Sequence, residues 1–187
     1  MPMNTALLMI DVQASFPARD YWDEALAVPW RERQHALLEL ARQADIPMVR
    51  IFHEEPGSAT PFDPANGLVR PLEGFDEPAA ATFHKRAHNA FTDTELERWL
   101  RERGIERLIV SGIRTEQCCE TTTRVAADLG FAVDFVSEAT LTFPMTRLGR
   151  TWSAEDIRAR TELVLEDRFA RIVDVAGLAK EWGTHAA

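Results

Sequence analysis

The two cysteines of the chain are adjacent, Cys118 and Cys119. They stand where the apolar run Leu108-Ile-Val gives way to the polar, helix-forming stretch Arg114-Thr-Glu-Gln-Cys-Cys-Glu-Thr-Thr. A thiol in the first turn of a helix meets unpaired backbone N–H groups and the positive end of the helix dipole. Both favour the thiolate, which is the nucleophilic form. The same N–H groups can receive the oxyanion formed when a thiolate attacks a carbonyl. A free cysteine is equally a common buried small hydrophobe, so the thiol alone decides nothing. Two further residues bear on it. Of the 21 basic residues only Lys85 and Lys180 are lysines, and the rest are arginines. Lys85 lies in an apolar-flanked segment, where a compact ammonium does chemistry that a guanidinium cannot. Asp11 ends the apolar run Ala6-Leu-Leu-Met-Ile; a partly desolvated carboxylate there is a better proton acceptor. Base, cation and nucleophile are the minimal set for covalent acyl chemistry.

The elements that would position these residues follow from apolar runs and helical spacing. Ala6–Val12 reads as a buried strand ending at Asp11, and Trp30–Ala44 as an amphipathic helix followed by a strand over Pro47–Phe52. Residues 54–79 are rich in Pro, Gly, Asp and Glu and read as a long surface loop of the functional or mobile kind. Ala80–His84 is a short strand, and Thr92 or Asp93 caps a helix that runs through Arg103 and is closed by Gly104. Strand Arg107–Val110, helix Glu116–Leu129, strand Phe131–Val136, a second loop with Pro144 and Gly149, a helix from Ser153 to about Phe169, strand Arg171–Val175 and a short helix complete the chain. This alternation predicts an α/β fold in one domain over residues 1–187: a three-layer α/β/α sandwich with a mostly parallel sheet of about six strands. Ligands in such sheets bind beyond the carboxyl ends of the strands, where Asp11, Lys85 and Cys118 all fall.

The segments Asp11-Val-Gln, His84-Lys85-Arg-Ala-His-Asn-Ala-Phe91 and Ser111-Gly112-Ile-Arg-Thr115-Glu-Gln-Cys118 resemble those of the isochorismatase-like cysteine hydrolases. That family includes nicotinamidases, N-carbamoylsarcosine amidases and ureidoacrylate hydrolases. The similarity runs from about residue 5 to about residue 140, and its most specific part is Gly112-Ile-x-Thr-x-x-Cys118 followed by Ala126-Ala-x-x-Gly-Phe131. The resemblance implies a hydrolase of amide-type C–N bonds working through a thioester, with Cys118 as nucleophile, Asp11 as base and Lys85 as the ammonium between them. It also implies a cis peptide between Ile113 and Arg114, the backbone N–H groups of Arg114 and Cys118 forming an oxyanion hole. Phe16 corresponds to an aromatic residue that packs on the substrate, and Gln13 either hydrogen-bonds a substrate amide or ties down a loop. Cys119 falls where the family has a small apolar residue and reads as structural. Nicotinamidases hold a metal with an Asp-x-His pair after the second strand; here that stretch is Ile51-Phe-His53, and His84 and His88 flank a cation. No metal and no cofactor are therefore expected.

The remaining expectations concern partners and alternatives. A net charge of −9 argues against nucleic acid, and there is no membrane-length apolar run or basic amphipathic face. Met1-Pro-Met-Asn-Thr lacks the pattern of a secretory leader. Adjacent cysteines cannot staple a fold, so a reducing, cytoplasmic setting is the default. The expected partner is a small-molecule substrate. A homo-oligomer is expected by analogy and because Trp22, Phe62, Phe75 and Trp152 lie in loops that one chain would have difficulty covering; Trp22, Phe143 and Trp152 could line either the cleft or a subunit contact. The competing readings are a nucleotide- or cofactor-binding α/β protein, which lacks a Gly-x-Gly-x-x-Gly turn, a thiol redox protein, which lacks Cys-x-x-Cys, and an inactive binding member of the same fold.

Overall fold

The computed structural model describes residues 4–183. The first strand, β1 (Thr5–Ile10), is followed by helix α1 (Glu24–Gln43), β2 (Met48–His53), β3 (Ala81–Lys85), α2 (Leu96–Glu102) and β4 (Arg107–Ile113). A single π-helical turn (Thr115–Cys119) leads into α3 (Glu120–Asp128), then β5 (Ala132–Leu141), the short strands β6 (Met145–Arg147) and β7 (Arg150–Trp152), α4 (Ala154–Leu165), β8 (Arg171–Val173) and α5 (Val175–Trp182). The six-stranded sheet has the order β3-β2-β1-β4-β5-β8, and every pairing in it is parallel.

The strands are apolar because both faces are covered. Leu7 and Met9 of β1 belong to a core with α1 and α5, while Ala6, Leu8 and Ile10 belong to a second core with α2, α3 and α4. That alternation along one strand defines the three layers. Helix starts follow their caps: Asp23 accepts from the Ala25 N–H at the start of α1, and Ser153 and Asp156 form a capping box at the start of α4.

Two backbone features shape the carboxyl edge of the sheet. Gly112 sits at φ +125° directly opposite Ile10, and a Cβ on it would lie 1.9 Å from the Ile10 carbonyl oxygen. Only glycine permits that approach. The next peptide, Ile113–Arg114, is cis. Together they carry the chain off β4 directly beside the end of β1. The π turn that follows is pinned to β5: Thr115 Oγ1 lies 2.7 Å from Thr140 Oγ1, and Thr142 donates to Glu116 at 2.6 Å.

The structure departs from the sequence reading in several stretches: α1 starts at Glu24 instead of Trp30, α2 at Leu96 instead of directly after Thr92 or Asp93, β5 runs on to Leu141 instead of ending at Val136, and α4 ends at Leu165 instead of about Phe169. β4 continues through Ser111-Gly112-Ile113 instead of ending at Val110, because Gly112 is a strand residue here and not a turn. The segment around Pro144 and Gly149 is a hairpin of β6 and β7, not a plain loop.

Candidate active site

Four neighbouring strands, β3, β2, β1 and β4, each deliver one chemically capable side chain to the same end of the sheet. Lys85 and His53 are the last residues of β3 and β2. Asp11 follows β1 with φ 52°, a left-handed turn that swings it off the strand, and its N–H is held by the Ile51 carbonyl at 2.9 Å. Cys118 lies in the π turn after β4. Adjacent strands are about 4.8 Å apart, so a side chain from β3 reaches the end of β1 only with a long stem. The four-carbon chain of Lys85 supplies it.

The result is a buried cluster centred on the Lys85 ammonium. Nζ donates to Asp11 Oδ2 at 2.9 Å and to Cys118 Sγ at 3.3 Å, with the Ala87 carbonyl at 3.2 Å and His53 Nδ1 at 3.3 Å completing its surroundings. The Lys85 and Asp11 side chains are both 0% exposed. The second carboxylate oxygen, Asp11 Oδ1, is buried and has no hydrogen-bond partner among the described residues. Its lone pairs leave it free to accept a proton.

Burial pushes the Cys118 thiol well above its ordinary range, the Asp11 carboxylate pushes it further, and the Lys85 ammonium offsets part of the rise. Burial opposes the charge on Lys85, but Asp11 and Cys118 outweigh it and hold the ammonium above the usual lysine value. The helix start favours a thiolate, whereas burial of the π turn and the carboxylate next to it favour the neutral thiol. His53 is held below the ordinary histidine value, by burial first and then by Lys85, so its ring is neutral.

Asp11, His53, Arg114 and Cys118 border a cavity of about 330 Å³ together with Phe16, Tyr21, Glu55 and Phe62. Phe16 is therefore a wall residue, packed edge-on against Phe62 with ring centroids 5.1 Å apart. Of the two roles expected for Gln13, the structure shows the one that ties down a loop: it is buried and does not border the cavity. Its Oε1 accepts from the His53 N–H at 2.8 Å, and its Nε2 donates to the His53 carbonyl at 3.0 Å and to Ser15 Oγ at 2.8 Å. Both ends of the amide are engaged in fixing β2 against the loop after β1. The Arg114 side chain lies 5.0 Å from the Tyr21 ring and pairs with Glu116 at 3.1 Å. Cys119 is fully buried in the core with α2, α3 and α4 and is not part of the cavity wall.

Other aromatic residues fall outside the cleft. Phe143 is a core residue on which Trp22 packs at 5.6 Å, and Trp152 lies on β7 under the Arg150 guanidinium. Phe62 and Phe75 are buried within the chain, so neither requires a second subunit to cover it.

Sequence reasoning passed over Tyr21, Glu55 and Phe62 as lining residues. The only signal was their place in or beside loops, with residues 54–79 already marked as a functional kind of loop. The residues do not compose a metal centre of the nicotinamidase type. Ile51, where that centre has its Asp, is buried in the core. His53 Nδ1 faces an ammonium, and no group of three or more candidate ligands occurs among the described residues.

Comparison with known proteins agrees with the fold. A family model described as the isochorismatase domain matches residues 5–174. The uncharacterized isochorismatase family protein YrdC of Bacillus subtilis is 30% identical over 97% of this chain and 98% of its own length. Nicotinamidase 3 of Arabidopsis thaliana is 27% identical over 90% of this chain and 84% of its own. An isochorismatase-type crystal structure from Burkholderia xenovorans superimposes with a TM-score of 0.84 at 28% identity, covering 98% of this chain and 90% of that one. With the parallel α/β sheet, the matched domain and these relatives in place, the chain belongs to the isochorismatase family of hydrolases.

Proposed function

We propose that the protein is a cysteine hydrolase that cleaves a C–N bond of a small amide through a thioester on Cys118. The observation that carries the reading is the Lys85 ammonium within 3.3 Å of the thiol and 2.9 Å of a buried carboxylate, with a cavity opening onto the sulfur. In the first step Asp11 Oδ1 takes the thiol proton, and the thiolate, charge-balanced by Lys85, attacks the substrate carbonyl carbon. The backbone N–H groups of Arg114 and Cys118 receive the oxyanion. The tetrahedral adduct then collapses, the C–N bond breaks, and the protonated Asp11 gives its proton to the departing amine. In the second half water attacks the thioester carbonyl while Asp11 takes a proton from it. The acid leaves, and the sulfur recovers a proton from Asp11. A neutral resting thiol suits this sequence, since the base is needed for attack and its proton is needed again for departure.

The cavity of about 330 Å³ lies at the small end of ligand pockets. It is lined by the aromatic Phe16, Tyr21 and Phe62 and by the polar Arg19, Glu55, Thr60 and Gln117, which suits a compact, polar amide with one planar face. A screen of small primary amides and ureido compounds with ammonia detection tests the reading. Ammonia release that disappears in Cys118→Ala supports it, and release that persists in that variant overturns it.

A further inference from the structure

We propose that His53 and Glu55 are positioning residues: Glu55 fixes the imidazole tautomer so that His53 Nδ1 provides Lys85 with an alternative acceptor when Cys118 is acylated. The inference rests on the Asp11–Lys85–Cys118 reading given above and adds two residues to it. Its basis is a count of donors and acceptors. An ammonium has three N–H donors, whereas four acceptors surround Lys85 Nζ: Asp11 Oδ2, the Ala87 carbonyl, Cys118 Sγ and His53 Nδ1. The first two are oxygens at 2.9 and 3.2 Å, and the sulfur and the ring nitrogen, each at 3.3 Å, compete for the third proton.

For Nδ1 to accept, the ring proton must be on Nε2. Glu55 provides the reason for it to be there, since its Oε1 lies 3.3 Å from His53 Nε2 and a carboxylate can only accept. Glu55 is itself oriented by Thr60 Oγ1, which donates to its other oxygen at 2.9 Å. Gln13 fixes the base of the imidazole by gripping both backbone groups of His53. His88 stacks on the ring at 6.2 Å and contributes no hydrogen bond to it. The charged neighbours of the ring are thus an ammonium on one side and a carboxylate on the other, and they select the same tautomer.

The two acceptors serve different stages. A thiolate is charged and takes the third N–H of Lys85 while it attacks. Once the sulfur is a neutral thioester it accepts poorly, and the N–H turns to His53 Nδ1. Lys85 then stays beside Asp11 while water is activated, instead of following a partner that has been lost. No proton leaves the ammonium in this exchange; only the acceptor changes.

The test is nitrogen NMR of ¹⁵N-histidine-labelled full-length protein, before and after alkylation of Cys118 with iodoacetamide, which converts the sulfur into a neutral thioether. The expected result is the Nε2–H tautomer of His53, with the Nδ1 resonance of the alkylated protein upfield of its position in alkylated Lys85→Met, which lacks the donor. An Nδ1–H tautomer, or an Nδ1 resonance of the alkylated protein that Lys85→Met leaves in place, overturns the inference. Kinetics provide the second arm. His53→Gln, which places an acceptor only at the Nε2 position, should lower kcat about tenfold or more through displacement of Lys85, with KM less affected. His53→Asn, which keeps an acceptor at the Nδ1 position, should recover most of that loss. Equal activity of the two variants counts against the proposal. Loss of turnover in Cys118→Ala with none in His53→Gln removes this inference alone, whereas turnover that survives Cys118→Ala removes the catalytic reading beneath it.

Discussion

At the scale of single residues, the proposed mechanism gives each group a role that its close relatives cannot fill. Cys118 borders the cavity and touches Lys85, while Cys119 is a core residue. Cys118→Ala should abolish turnover. Cys119→Val, which adds about one methyl group's volume to the core, should retain most activity and cost about 1–3 kcal/mol of stability; activity assays and chemical denaturation of both variants check this. Lys85→Arg should be nearly as damaging as Lys85→Ala, each lowering kcat/KM at least about a hundredfold, because a planar guanidinium cannot sit between Asp11 and the sulfur without displacing them. Near-full turnover of the Arg variant would show that charge alone suffices. Burial and Asp11 hold the Cys118 thiol above its ordinary value, so little thiolate exists near neutral pH. Alkylation by iodoacetamide should therefore accelerate continuously from pH 6 to 9 without a plateau, and a plateau below pH 7 would mean a preformed thiolate. Exhaustive chelation should leave turnover unchanged, since Ile51 stands where a metal-holding Asp would be; loss restored by zinc or iron would contradict that. That Asp11, Lys85 and Cys118 come together was legible in the sequence because each residue type is uncommon or out of place in its surroundings. The pairing of His53 with Lys85 was not, because it depends on β2 lying between β1 and β3, an order that no local pattern carries.

At the scale of elements, the strands were legible where the sheet is buried on both faces, since burial writes a continuous apolar run into the sequence. β1 and β2 came out within two residues of their observed ends for that reason. The hairpin of β6 and β7 was hidden because it is exposed and its turn, Leu148-Gly149, has positive φ at both positions without the Asn-Gly or Asp-Gly pair that marks such turns. The end of β4 was misread because Gly112 looks like a turn residue. In the fold it is where the backbones of β4 and β1 come closest. Gly112→Ala would place a Cβ against the Ile10 carbonyl and force either strand to move. It should cost more than about 2 kcal/mol in chemical denaturation and reduce activity in the fraction that folds, since Asp11 and Arg114 leave the sheet at that point. Unchanged stability would mean that the close approach of β1 and β4 is dispensable. The cavity wall was the least legible part. Phe62 and Glu55 belong to a loop whose course is set by remote contacts, such as Leu72 N–H to the Val12 carbonyl at 3.1 Å and Ala14 N–H to the Arg70 carbonyl at 2.9 Å.

At the scale of the whole molecule, the α/β layering, the parallel sheet and the position of the site at its carboxyl edge follow from the alternation of apolar strands and amphipathic helices. Of the loop aromatics, Phe62 and Phe75 complete the core of a single chain, while Trp22 and Trp152 are half-buried. Among the described residues no helix is long and apolar enough to cross a membrane. What the molecule as a whole must do, on this account, is carry an acyl group on one sulfur between two chemical steps, and that can be weighed. The decisive measurement is the intact mass of the protein, quenched in acid during turnover of an amide found by the ammonia screen and followed by peptide mapping. The account predicts a transient mass increase equal to the acyl part of the substrate, confined to the peptide containing Cys118, absent in Cys118→Ala and retained in Cys119→Val. Turnover with no adduct on Cys118 under any quench, or an adduct that survives in Cys118→Ala, would contradict it.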